Sequence, residues 1–288
     1  MTMETTAEAN WRDWRANWRQ VLHYRFLLHN LVVRDLKVRY KNSILGVLWS
    51  LLNPLLMMLV FTLVFTVLTP SGNLRQYPVF VLVGLLPWNF FSGSVIGGTM
   101  SFTNSSALIK KVYFPRELLP TATVLANLVH FLIAFVVLVV FLYASGLGLT
   151  IHALWVPAIL LTQLIFTLGL CLFLGTLQVF YRDVLMILDV LMLAWFFLTP
   201  VIYPLDLFGP TATLFGVTFD PAVVMRWVNP MASLIDGYRT VLWGNTGSAG
   251  PASMAPAYLL RTFVTAVLVF LAGYALFART QHLFGEKL

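Results

Sequence analysis

The chain has 288 residues, of which 59% are hydrophobic and 10% charged, and it carries a net charge of +7. A soluble domain of this length cannot cover so apolar a surface with polar groups, so composition excludes one and makes lipid the solvent. The single cysteine, Cys171, excludes a disulfide framework and a cysteine metal site, and no metal is expected elsewhere.

About forty mostly polar residues precede the first apolar run, which is itself too long for a secretory signal, so that run is expected to stay in the mature protein. Trp11, Trp14 and Trp18 recur at helical spacing with Arg12, Arg15 and Arg19 on the adjoining strip. This is the pattern of a helix lying on a membrane surface, with a disordered tail as the alternative. From about Val21 to Lys41 a second helical stretch puts Asn30, Arg34, Lys37 and Lys41 on one strip and Val33, Leu36 and Tyr40 on another. Leu27, Leu31 and Val38 blur the pattern, and Asp35 and Arg39 are spaced to pair at i, i+4. Residues 1–43 are read as a cytoplasmic amphipathic region whose second half forms an elbow along the inner leaflet.

Six apolar stretches follow, at about 44–68, 78–100, 118–145, 153–181, 184–205 and 256–278. Each is near or above the ~20 residues that cross ~30 Å of hydrocarbon. Threaded from the cytoplasm, they put fourteen of the eighteen Lys and Arg on one side: eight before Ile44, then Lys110, Lys111, Arg116, Arg182, Arg279 and Lys287. Arg75, Arg226, Arg239 and Arg261 fall on the other side. This asymmetry implies that both termini are cytoplasmic and accounts for the positive charge, so membrane lipids are expected partners and nucleic acid is not. The expected fold class is therefore all-α integral membrane. Six transmembrane helices (44–280) follow an N-terminal amphipathic interface helix, short re-entrant helices lie on the extracytoplasmic side, and residues 281–288 form a cytoplasmic tail.

Pro54 interrupts the first stretch, Gly84 and Pro87 the second, and Pro200 and Pro204 the outer end of the fifth. Backbone groups freed there must be satisfied by neighbouring helices, water or a cavity. The connection at 106–118 carries Lys110 and Lys111, then Val112, Tyr113 and Phe114, then Pro115, Arg116 and Glu117. Such apolar knobs ringed by charge suit a groove on a partner, although a positive-inside loop with aromatic anchors reads the same way. His130 in the third stretch is expected to be a hydrogen-bonded packing residue. Asp189 is the acid set well inside a span, and such a group should face the bundle, water or a partner.

The segment 204–245 is too apolar for a plain loop, with Phe215, Phe219, Val223, Val224 and Trp227 in its first half. Asn229 and Pro230 are a helix start and Gly244 a stop, which predicts a short helix over Pro230–Trp243. Asp236, Arg239 and Arg261 are candidates for an outer charge cluster, the first two spaced to pair at i, i+3. Flat aromatic faces make Phe61, Phe65, Trp88, Phe90, Phe91, Trp195, Phe196, Phe197 and Tyr203 candidates for lining a path. Packing against neighbours or lipid is the competing reading of each.

The run RDLKVRYKNSILGVLW at 34–49, followed by Asn53 and Pro54, resembles the approach to the first span in ABC-2 type permeases that export polysaccharides and polyol phosphates. The O-antigen and teichoic-acid exporters are the most similar kind. KKVYFPRELLP at 110–120 resembles their first cytoplasmic loop, YRD at 181–183 the start of the fifth span, PVIYP at 200–204 its outer end, and NPMASLIDGYR at 229–239 their outer gate region. The motifs occur in the family's order and cover nearly all of residues 30–280.

That resemblance implies a homodimer of six-span subunits in a bacterial inner membrane, enclosing a channel for a lipid-linked glycan and served by two copies of a separate ABC ATPase. Lys110 to Glu117 would couple to the ATPase. Arg34, Asp35, Lys37, Arg39 and Lys41 would belong to the interface helix, and Asn229, Pro230, Asp236 and Arg239 to an outer gate. The chain has no Gly-Lys pair and hence no G-x-x-x-x-G-K-[ST] phosphate loop. No cofactor or catalytic residue is expected in it; ATP and Mg²⁺ would be bound by the partner. An ABC-2 exporter of a small molecule or drug is the alternative. A secondary transporter would show ionisable relays in several spans, and a membrane enzyme would show paired carboxylates.

Overall fold

The computed structural model describes residues 24–41, 43–68, 74–205, 209, 211–214, 217–245 and 250–288. The expected surface helix bearing Trp11, Trp14 and Trp18 lies outside them, as does Phe215. The elements run α1 (Arg25–Tyr40), α2 (Trp49–Leu63), α3 (Tyr77–Asn104), α4 (Ser106–Lys111), α5 (Leu118–Ala144), α6 (Val156–Phe180) and α7 (Val184–Leu198). An antiparallel hairpin of β1 (Ala212–Leu214) and β2 (Val217–Phe219) follows. Then come α8 (Pro221–Val228), α9 (Pro230–Leu242), α10 (Pro256–Thr280) and α11 (Phe284–Lys287).

Among the described residues five helices, those built on α2, α3, α5, α6 and α10, are long and apolar enough to cross a membrane. The second, third, fourth and sixth expected stretches match them within a few residues. The first is not one regular rod: a 3₁₀ turn at Gly46–Leu48 precedes α2 and a π-helical turn at Val64–Leu68 follows it. The fifth departs most from expectation. In place of a continuous 184–205 span, α7 has 15 residues, about 22 Å by helix rise. Its end is set locally, because the residue before a proline is pushed out of the helical region and Pro200 has no N–H to extend the ladder. Thr199 accordingly adopts an extended conformation.

Small residues set how closely the long helices pack. A Cβ on Gly273 of α10 would lie 2.3 Å from the Gly169 carbonyl oxygen of α6, and one on Gly98 of α3 would lie 2.4 Å from Cys171 Sγ. Backbone approach at such points is how apolar helices gain dispersion contact where lipid already satisfies hydrophobicity. Cys171 is thus a packing residue, its thiol donating to the Ser94 carbonyl at 3.2 Å. Gln163 in α6 is fully buried and donates to the Pro87 carbonyl at 2.8 Å. Despite Gly84 and Pro87, α3 runs unbroken.

Two hydrophobic cores result. The larger joins α3, α5, α6 and α9. The smaller gathers Leu31, Phe102, Ile109, Phe114, Phe277 and Phe284 at the end of the bundle that holds the C-terminus. Residues 281–288, expected as a tail, fold back into that core. Phe284 is fully buried, its ring 5.0 Å from Phe102 and 6.0 Å from Phe277. By contrast α2 and α7 leave wide apolar surfaces exposed, including Leu56, Leu59, Val60 and Leu63 on the first and Met186, Val190 and Leu193 on the second.

Phe284→Ala should therefore lower stability by about 3 kcal/mol, the range for emptying a phenylalanine site. Thermal unfolding in detergent should show a clear drop in midpoint, and an unchanged midpoint would mean that the C-terminal segment is not part of the core.

Candidate functional site

At the C-terminal end of the bundle, α4 stops at Lys111 and Val112 is extended. Burial divides the residues that follow: Val112 and Tyr113 are 51% and 97% exposed, and Phe114 only 5%. The expectation that Phe114 is an outward knob is thereby corrected. It packs in the smaller core, while Val112 and Tyr113 stand out from the surface beside exposed Lys110 and Lys111. Pro115 and Arg116 turn the chain back. The Arg116 guanidinium donates to the Gln281 carbonyl and lies 5.9 Å from the Phe284 ring, so the loop is braced on the folded C-terminal segment. Burial pushes the Arg116 pKa down and the Glu117 carboxyl above its ordinary range.

Beside this loop α1 does not stand alone on a leaflet. Asp35 Oδ2 accepts from the Thr123 hydroxyl at 3.3 Å, Arg39 donates to Asn127 Oδ1 at 3.0 Å, and the Tyr40 hydroxyl meets His130 Nδ1 at 2.9 Å. These partners ascend in the same order along both helices, so α1 runs alongside α5. The expected Asp35–Arg39 pair is absent because Asn127 takes Arg39 and the neighbouring Arg34 takes Asp35 at 3.0 Å. His130 is the hydrogen-bonded residue anticipated, and Lys37 and Lys41 are exposed.

The aromatic candidates divide into two groups. Trp88, Phe90 and Phe91 are buried in the larger core, Phe90 against Phe131 at 5.5 Å and Phe91 stacked on Phe166 at 5.7 Å. Side chains so enclosed cannot line a path, which corrects that expectation for these three. The others sit nearer the surface. Phe61 of α2 stacks on Phe196 of α7 at 6.0 Å, Phe65 packs on Tyr77 at 5.7 Å, Trp195 meets Phe91 at 5.1 Å, and Phe197 is 56% exposed. The Tyr203 hydroxyl donates to the Phe197 carbonyl at 2.8 Å.

At the opposite end, α9 closes over the broken end of α7. Asn229 accepts from the backbone N–H of Met231 and Ala232 at 3.0 and 3.3 Å, which caps α9 as the Asn-Pro signal predicts. The same side chain donates to the Leu198 carbonyl at 3.2 Å and to Thr199 Oγ1 at 2.9 Å, and receives the Trp195 indole N–H at 2.9 Å. Asp220 caps α8 in the same way ahead of Pro221. Arg239, 5% exposed, donates to the carbonyls of Pro200, Val201 and Tyr203, while Tyr77 donates to Ile202 at 2.7 Å. Its guanidinium carbon lies 3.7 Å from the Phe80 ring centroid. Room for this comes from Gly84, where a Cβ would come within 2.7 Å of both Arg239 Nη2 and the Val201 oxygen. Asp236 pairs with Arg226 at 2.9 Å, not with Arg239, and Arg261 lies 5.3 Å from the Trp227 ring. Asp236 and Arg239 thus border one space without an ion pair between them, and no ion pair joins Arg261 to either.

Replacing Arg239 by Met should leave several carbonyls at the end of α7 unpaired and lower the unfolding midpoint sharply. Arg239→Lys, with three donors and no planar fork, should recover only part of the loss. Thermal unfolding of the three proteins in one detergent gives the order, and equal midpoints would contradict it.

Comparison with known proteins places this geometry. Residues 27–243 match the family described as ABC-2 type transporter. An O-antigen export system permease protein RfbA from Myxococcus xanthus is 40% identical over 225 residues, 78% of this chain and 83% of that protein. A protein of the same name from Klebsiella pneumoniae is 32% identical over 269 residues, 93% of this chain and 97% of that protein. The matched range contains both the loop around Tyr113 and the α7–α9 junction, and the chain belongs to the ABC-2 type transporter family.

Proposed function

We propose that the chain is the membrane-spanning permease of an ATP-driven exporter that moves a lipid-linked polysaccharide of the O-antigen type from the cytoplasmic side across a bacterial inner membrane. The observation that carries this reading is its near end-to-end similarity to a relative named for O-antigen export. A hydroxyl-rich polymer loses several kcal/mol for each group stripped of water without a partner, so export needs a polar route and an energy source. With no phosphate loop in this sequence, ATP hydrolysis falls to a separate ABC ATPase, two copies of which bind the basic end.

In this reading α7 and its broken end form the fifth of six crossings, both termini are cytoplasmic, and α8 and α9 dip into the outer leaflet without spanning. Two copies of the chain enclose the path. The surface of α2 and α7 supports this arrangement, because Asp189 is exposed there among Met186, Val190 and Leu193. A carboxylate within a span is unfavourable in lipid, by ~2.5 kcal/mol or more at the bilayer centre and less toward the interface, and a hydrated space between copies removes that penalty. Phe61, Phe65, Trp195, Phe196, Phe197 and Tyr203 lie on the two helices or beside them and remain candidates for the lining. Tyr113 and Val112, flanked by Lys110 and Lys111, form the ATPase-docking knob that Phe114 supports from within.

Deleting the gene should abolish surface O-polysaccharide and leave the polymer inside the cell; an unchanged surface polymer would refute the cargo. Tyr113→Ala, or Lys110→Glu with Lys111→Glu, should restore expression of the protein but not export, and should reduce the partner's transport-coupled ATPase by tenfold or more. Normal coupling in both would remove the docking role. Phe197→Ala should slow export without changing the unfolding midpoint, whereas Trp88→Ala should lower the midpoint.

A further inference from the structure

Behind the α7–α9 junction lies a cavity of about 320 Å³ that the transport reading leaves unused. Its polar wall residues include Asp236, Arg239 and Thr240 of α9, Arg226 of α8, Ser253 before α10 and Tyr258 within it. We infer that this cavity is a glycan subsite that holds one sugar residue of the polymer on the extracytoplasmic side, an inference that rests on the polysaccharide reading above.

The chemistry of the walls selects the ligand class. A carboxylate accepts at about four lone-pair positions, and the bond from Arg226 Nε to Asp236 Oδ2 at 2.9 Å occupies one of them. Thr240 donates to Asn245 Oδ1 at 3.2 Å, which sets a hydroxyl and an amide side by side on the lining. Arg239, more than nine-tenths buried, closes one wall. Donors and acceptors are therefore both present on the lining, as the vicinal hydroxyls of a sugar require. A simple anion would meet the Asp236 carboxylate, and an acyl chain would strip water from that carboxylate without replacing its partners. The volume sits at the lower end of the range for small-ligand pockets, enough for a single ring and too small for a length of polymer.

Position adds a consequence. Arg239 lines the cavity and also holds the carbonyls of Pro200, Val201 and Tyr203. A sugar in the cavity thus lies against the residue that fixes the outer end of α7. Occupancy there would hold emerging polymer on the outer side and oppose its return.

The test uses the permease reconstituted with its ATPase in lipid nanodiscs. The probe is the O-polysaccharide of the source organism, freed of lipid by mild acid, with binding read by saturation-transfer NMR. Ser253 is exposed at the wall, so Ser253→Phe fills the cavity without disturbing the core, and Asn245→Ala removes an amide from the lining. Saturable transfer to the wild-type protein, weakened tenfold or more by Ser253→Phe and measurably by Asn245→Ala at unchanged unfolding midpoint and ATPase rate, is the expected result. Absence of transfer to a wild-type protein that exports normally, or equal transfer to all three proteins, would overturn the subsite. Gene deletion, by contrast, decides the cargo, so the two failures are distinguishable.

Discussion

The structure depends on how the broken end of α7 is satisfied. Pro200 and Pro204 bring no N–H groups, and the backbone from Leu198 to Tyr203 presents carbonyls that helix geometry no longer pairs. At membrane depth such groups have no water to turn to. Arg239 answers three of them, Tyr77 one, and Asn229 another, all from other helices. The guanidinium suits this task because it is planar, carries five donors and is weakly hydrated. Its charge is offset by the carbonyl-rich C-terminal end of a helix and by the face of Phe80. Thus α9 is not an accessory of a loop. It supplies the missing half of the fifth apolar stretch.

The two ends of the bundle are joined by opposite means. Around Phe102, Phe277 and Phe284 the contacts are apolar and aromatic, with Leu31 of α1 and Phe114 of the loop locked into the same cluster. A movement of the loop at Phe114 would pass to α1, α3 and α10 through this cluster, which is what the docking role proposed for that loop requires. At the α7–α9 junction the contacts are directional hydrogen bonds that break and reform with small shifts. Between the two ends, Phe61 of α2 stacks on Phe196 of α7, and both helices also pack into the larger core while leaving a wide apolar face exposed.

Much of this was legible in the sequence, for definable reasons. Hydropathy over long runs located four spans within a few residues, because a helix that crosses lipid leaves no freedom in composition. Asn229 and Pro230 announced α9 through capping chemistry that acts within four residues. What failed was anything decided by a partner distant in the chain. The spacing of Asp35 and Arg39 permits a pair, yet Asn127 and Arg34 prevailed. Asp236 and Arg239 share a helix face, yet one turned to Arg226 and the other to the end of α7. The motifs at 200–204 and 229–239 were each visible, but nothing local states that the arginine of one serves the carbonyls of the other. A usable signal existed in the placement of a lone Arg within an apolar helix downstream of two prolines. Phe114 could not be told from Tyr113 in the sequence, because the core that takes it is built from helices distant in the chain. The hairpin at 212–219 carried no Asn-Gly or Asp-Gly mark, and so left no trace in the pattern.

A double-mutant cycle between Gly84 and Arg239 tests the central claim most directly, since Gly84 touches both the guanidinium and the carbonyl it holds. Gly84→Ala, Arg239→Met and the double variant would be compared with the parent by thermal unfolding in one detergent. The account predicts strong coupling: Gly84→Ala destabilises the parent by ~1–3 kcal/mol through overpacking, and costs clearly less once Arg239 is gone and Val201 is free to relax. Full additivity of the two substitutions would show that the guanidinium does not occupy the space Gly84 leaves, and would contradict it.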